Sequence, residues 1–136
     1  MKQISKHKIP AFNLQETLIV LAIIGILLLI AMPKLMPLIS KAKSIEAQAQ
    51  LKHIYNMEIL YSYSYSKFSG DFNEIDFEAP KTVKEGGTAN YEYVITSVTS
   101  EGFKVRATAV TDFDRDGIFN VWEIDENGSP KQLIKD

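Results

Sequence analysis

Thr111 to Ile124 reads TDFDRDGIFNVWEI, and it holds the densest chemistry in the chain. Asp112, Asp114 and Asp116 alternate, Gly117 follows, and Glu123 closes a D-x-D-x-D-G-x5-E spacing. Alternating acids turn inward where a chain curls, and a glycine permits the sharp bend. Four carboxylates in twelve residues repel one another unless a cation holds them. An oxygen-only donor set selects a hard ion, and loose, high coordination favours Ca²⁺ over Mg²⁺. The expected donors are Asp112, Asp114, Asp116, the carbonyl of Ile118, Asn120 directly or through water, and both oxygens of Glu123.

This spacing resembles the calcium loop of EF-hands. Its flanks differ, because alternating strand pattern lies on both sides where helices would be, so no calmodulin-like opening is expected. With Trp122 and Ile124 facing a core, Glu123 would turn to the opposite side, toward the loop. Trp122 itself reads as core packing. The bland alternative is a solvated acidic hairpin loop without metal.

The other singular acid is Glu16, at the mouth of an apolar run from Ala11 to Pro33, AFNLQETLIVLAIIGILLLIAMP. A carboxylate at a membrane helix centre costs about 2.5–3.5 kcal/mol on insertion scales, less near the ends. Extended as helix from Phe12 to Leu38, the segment would measure about 40 Å, enough for a hydrocarbon core of ~30 Å. Lys2, Lys6 and Lys8 precede it, so the positive-inside rule places Met1 in the cytoplasm and the C-terminal body outside. A cleaved secretory signal would need a small-x-small site after the apolar core. The sequence there is Met32-Pro33-Lys34-Leu35-Met36-Pro37, and Ala11 lies ahead of the run instead. Pro33 and Pro37 each remove a backbone donor, so a kink or loosened stretch is expected between about Leu29 and Pro37.

From Lys8 to Pro33 the chain resembles the type IV pilin and type II secretion pseudopilin superfamily. The residues that carry the likeness are the basic leader, Phe12, Glu16 at the F-x-x-x-E spacing, Gly25 and Pro33. The resemblance implies that a prepilin peptidase cuts between Ala11 and Phe12 and methylates the new amine of Phe12. Ala11 stands where the family usually has glycine. It also implies a protein held in the bacterial inner membrane that polymerises with itself through the apolar helix, aided by inner-membrane assembly machinery. In such a filament Glu16 would neutralise the Phe12 amine of an adjoining subunit. Outside that pairing both charges face a low dielectric and are penalised, so the pair would set axial register. The plainer reading of Glu16 is a first-turn carboxylate favoured by the helix dipole.

The rest of the chain gives the body that such a helix would carry. Beyond Phe12 it holds 12 basic and 17 acidic residues, a balance of −5; that argues against nucleic acid as partner. There is no cysteine, so a small exported domain needs another clamp. Two isolated histidines, no cysteine and no serine elbow leave little for covalent or acid–base catalysis, and no enzyme is expected.

An amphipathic helix is expected over 40–66, with Ala47, Leu51, Ile54, Met57 and Tyr61 inward and Lys41, Lys43, Lys52 and Glu58 largely outside. Residues 67–89 read as a connecting loop with a helical turn at Asn73–Phe77. Residues 90–136 read as a sheet: Tyr91, Tyr93 and Ile95 alternate; Ser100-Glu101-Gly102 turns; Phe103, Val105, Ala107 and Ala109 alternate; Val121–Glu126 follows; Leu133 and Ile134 add a short edge. The division is a leader at 1–11, an apolar membrane and assembly helix at 12–39, and an extracytoplasmic domain at 40–136. The fold class is α+β, a long N-terminal helix on a three- or four-stranded antiparallel sheet. Two functions stay open: a subunit of a pilus or pseudopilus, and an unprocessed membrane-anchored calcium-binding or adhesive module that does not polymerise.

Overall fold

The computed structural model describes residues 12–136. The leader and the cleavage-site residue Ala11 lie outside the described residues. The chain divides into two units, Met1–Leu35 and Met36–Asp136. One helix, α1, runs over Leu14–Tyr65. Its assignment is continuous through Pro33 and Pro37, although each withholds one N–H from the ladder.

In the first unit, the apolar stretch of α1 has a mean hydropathy of 2.7 over eighteen residues, with none of that window buried. Leu18, Leu21, Ile24 and Leu28, for example, are all exposed. A helix this apolar on every side matches hydrocarbon. By length and composition it is able to cross a membrane.

In the second unit, α1 buries Ser40, Ser44, Ala47, Leu51, Ile54 and Glu58. Those steps alternate four and three, which keeps one face of a helix turning roughly 100° per residue. Glu58 therefore belongs inside, a correction to the stripe read from the sequence. Met57 and Tyr61 only flank the core. The step from Ile54 to Met57 swings the direction back by about 60°, whereas Glu58 stays nearly in line. The helix ends at Tyr65, with Ser66 in the left-handed region at φ 56°. The Tyr61–Tyr65 ring pair, 4.5 Å apart, is the contact that i, i+4 spacing provides.

Between helix and sheet, Phe77 N–H donates to the Phe72 carbonyl at 2.9 Å, closing a turn where the sequence predicts one. A short 3₁₀ turn at Val83–Glu85, unannounced by apolar periodicity, is held by the Glu85 carboxylate, which accepts both the N–H and the hydroxyl of Thr82.

Four strands follow: β1 at Tyr91–Val98, β2 at Phe103–Ala109, β3 at Val121–Asp125 and β4 at Lys131–Ile134. Each pairs antiparallel with the next, in the order β1-β2-β3-β4. The fold is thus α+β, as the alternation predicts. Tyr91, Tyr93, Phe103, Val105, Ala107, Ala109 and Ile124 join Ala47, Leu51 and Ile54 in one buried cluster. Polar residues such as Glu92, Lys104 and Arg106 occupy the opposite, wet face.

Candidate functional site

The acidic loop joins β2 to β3, and its shape comes from its own main chain. Asp112 accepts the N–H groups of Arg115 and Gly117, the latter at 2.7 Å. Asp114 Oδ1 accepts Asp116 N–H at 3.0 Å, and Asp116 Oδ1 accepts Ile118 N–H at 2.7 Å. Short acidic side chains that bind the backbone two or three residues on hold such curls. Gly117 sits at φ 88° and Arg115 at φ 69°; the first is the position the pattern reserves for glycine. Partial burial pulls the Asp112 carboxyl upward, but the N–H groups of Gly117, Arg115, Asp114 and Asp116 outweigh it and hold it below the usual range.

Phe113 anchors this loop. Its ring is buried against Tyr91, centroids 5.8 Å apart, and Lys43 Nζ lies 4.4 Å from its centroid. The odd residue of the D-x-D pair thus faces the core while Asp112 and Asp114 remain at the rim.

The carboxylates of Asp112, Asp114, Asp116 and Asp136 converge, one oxygen from each lying within 4.8 Å of the others. Such a group can hold a metal ion. Asp136, beyond β4, is buried, and its Oδ2 accepts the Phe113 N–H at 2.8 Å. It carries no motif and lies outside the D-x-D-x-D-G-x5-E spacing.

The other expected donors are placed as follows. Glu123 sits in β3 opposite Arg106 of β2, and their side chains meet at 3.0 Å. Trp122 pairs with Ala107 and Ile124 with Val105, so those residues share the core face. Glu123 turns to the other face, as expected, but that face offers it a guanidinium. Asn120 is fully buried, and its amide Nδ2 donates to Ser44 Oγ at 3.1 Å and Ser40 Oγ at 3.4 Å. Its Oδ1 is buried without a partner among the described residues. Ile118 lies on the exposed rim of the loop, next to Asp116.

At the other end of the chain, Glu16 lies in the first turn of α1 and its Oε2 accepts the Asn13 N–H at 2.9 Å. An N-terminal amide that has no intrahelical acceptor is thereby satisfied. Phe12, the expected site of methylation, is 85% exposed.

No protein-family model matches the sequence. No curated protein matches it either.

Proposed function

We propose that this chain is a pilin-like filament subunit. It is held in the bacterial inner membrane by the apolar half of α1, with its N-terminus cytoplasmic and its folded domain outside. A prepilin peptidase cuts after Ala11 and methylates the Phe12 amine. The subunit then polymerises with copies of itself or related subunits, through inner-membrane assembly machinery, into a type IV pilus or a type II secretion pseudopilus. The observation that carries this reading is a single helix, uncovered and apolar over its first half, with one acid in its opening turn. Side-by-side packing of such helices buries what is otherwise bare. Glu16 then meets the Phe12 amine of a neighbour.

The loop after β2 is proposed to bind Ca²⁺ and brace a cysteine-free domain. The donors fit the ion chemically, being oxygens of ionised carboxylates. Opposed ligands on one Ca²⁺ are separated by about 4.6–5.2 Å, against about 4.0–4.2 Å for Mg²⁺. A group gathered within 4.8 Å has room for an ion of either size, and the loose, oxygen-only donor set is what favours Ca²⁺.

The bond from Asn13 N–H to Glu16 favours a second reading. There the acid serves only its own helix, and the chain is an unprocessed membrane-anchored calcium-binding or adhesive module. N-terminal determination of the membrane-bound protein tests both. A chain starting at methylated Phe12 is the result expected of the filament subunit. A chain starting at Met1 that stays monomeric in bilayers overturns it.

A further inference from the structure

We propose that Asp136, rather than Glu123, supplies the closing carboxylate of the cation site, so that the ion clasps the chain beyond β4 to the loop between β2 and β3. The inference rests on the calcium reading above and names the residue that completes the site.

Three observations carry it. First, Asp136 is in the convergent group, whereas Glu123 is engaged by Arg106 on the wet face of the sheet. Second, Asp136 is only 8% exposed and its Oδ1 has no hydrogen-bond partner among the described residues. An ionised oxygen removed from water needs a compensating charge. Third, no Lys or Arg among the described residues forms an ion pair with it. The two ion pairs among the described residues, Arg106–Glu123 and Lys131–Asp125, both lie elsewhere. A divalent ion shared with Asp112, Asp114 and Asp116 satisfies the orphaned oxygen and relieves the repulsion among all four.

The consequence reaches the helix. The main-chain oxygen of Asp136 accepts Ser40 Oγ at 2.7 Å, and Ser40 and Ser44 both receive the Asn120 amide. Fixing Asp136 from its side chain also fixes the acceptor that Ser40 uses.

The test is calcium titration calorimetry on the full chain in detergent micelles, comparing the native protein with Asp136→Asn, Glu123→Gln and Asp114→Asn. The amide of Asp136→Asn keeps an oxygen for the Phe113 N–H. We expect Asp136→Asn to weaken calcium at least tenfold, Glu123→Gln to stay within twofold, and Asp114→Asn to abolish binding. Should Glu123→Gln weaken binding and Asp136→Asn not, the assignment of Asp136 falls while the calcium reading stands. No calcium heat from the native protein overturns both. A measurement without substitution gives a second check: the side-chain carboxyl ¹³C resonance of Asp136 should move on calcium addition in the native chain, and a stationary resonance beside moving Asp112 and Asp114 signals overturns the inference.

Discussion

Glu58 Oε2 accepts the main-chain N–H of Ser69 at 2.9 Å, while its Oε1 lies buried without a partner among the described residues. A helix residue and the segment just beyond that helix are thus joined through a carboxylate that water does not reach. Burial pushes the Glu58 carboxyl up, the Ser69 N–H draws it partly back, and the charge of nearby Glu74 raises it again. Because the folded form holds its proton more tightly than the unfolded form, its contribution to stability is complete below about pH 4.5 and fades as pH rises through the raised value. The melting-temperature difference between Glu58→Gln and the native protein should therefore shift with pH in the variant's favour on going from pH 4.5 to neutrality. A difference that stays constant across that window would show that Glu58 does not titrate this way.

Glu16→Ala should leave cleavage after Ala11 largely intact and block filament assembly. The variant loses the carboxylate proposed to meet a neighbouring amine, while the cleavage site is unchanged. Normal filaments by electron microscopy would count against the pairing.

Chelation should lower the melting temperature of the full chain in detergent. A site held tenfold above its dissociation constant contributes about 1.4 kcal/mol by mass action, a sizeable share of a small domain's stability. Asp114→Ala should melt alike with and without calcium. Identical melts of the native protein in calcium and in chelator would dispose of the site.

Two glycines should differ in what alanine costs. At Gly117, φ is 88° and a Cβ would meet nothing within 4 Å, so the penalty is conformational alone, about 1–2 kcal/mol. At Gly128, φ is 74° and a Cβ would land 2.6 Å from the Tyr55 ring. Overpacking adds about 1–3 kcal/mol there. Denaturant unfolding of both variants should rank Gly128→Ala as the worse, and trimming Tyr55 to Leu should recover part of the loss only at that site.

The Arg106–Glu123 pair is partly exposed, with side chains 44% and 16% accessible. A double-mutant cycle of Arg106→Ala and Glu123→Gln should give a coupling of about 0.2–1 kcal/mol. A larger value would mean that Glu123 carries more of the domain than a surface pair does.

Local pattern made the elements legible, and distance hid the rest. Alternation in Tyr91–Ile95 and Phe103–Ala109, with turn residues between, is enough to give β1, β2 and their buried face, because strand burial has period two. The apolar run before Pro33 is equally plain. At Glu58 residue type and phase disagree: its charge predicts the outside, whereas its helical angle, in line with Leu51 and Ile54, puts it in. Asp136 stayed hidden for another reason. It lies twenty positions beyond Asp116, and only the antiparallel return through β3 and β4 brings it to the loop. Glu123 fits the loop by spacing, and what spacing within the loop does not contain is its ladder partner on β2, Arg106, whose guanidinium meets its carboxylate.

The bond from Ser40 to Asp136 spans 96 positions. During synthesis it has to wait for everything between. By then α1 has long left the ribosome, and the whole sheet has followed it. Closing so wide a loop is slow. Ser44 has the Ser40 carbonyl as acceptor as soon as that helical turn forms, whereas the Ser40 hydroxyl meets its own acceptor only after the strands have returned residue 136 to the helix.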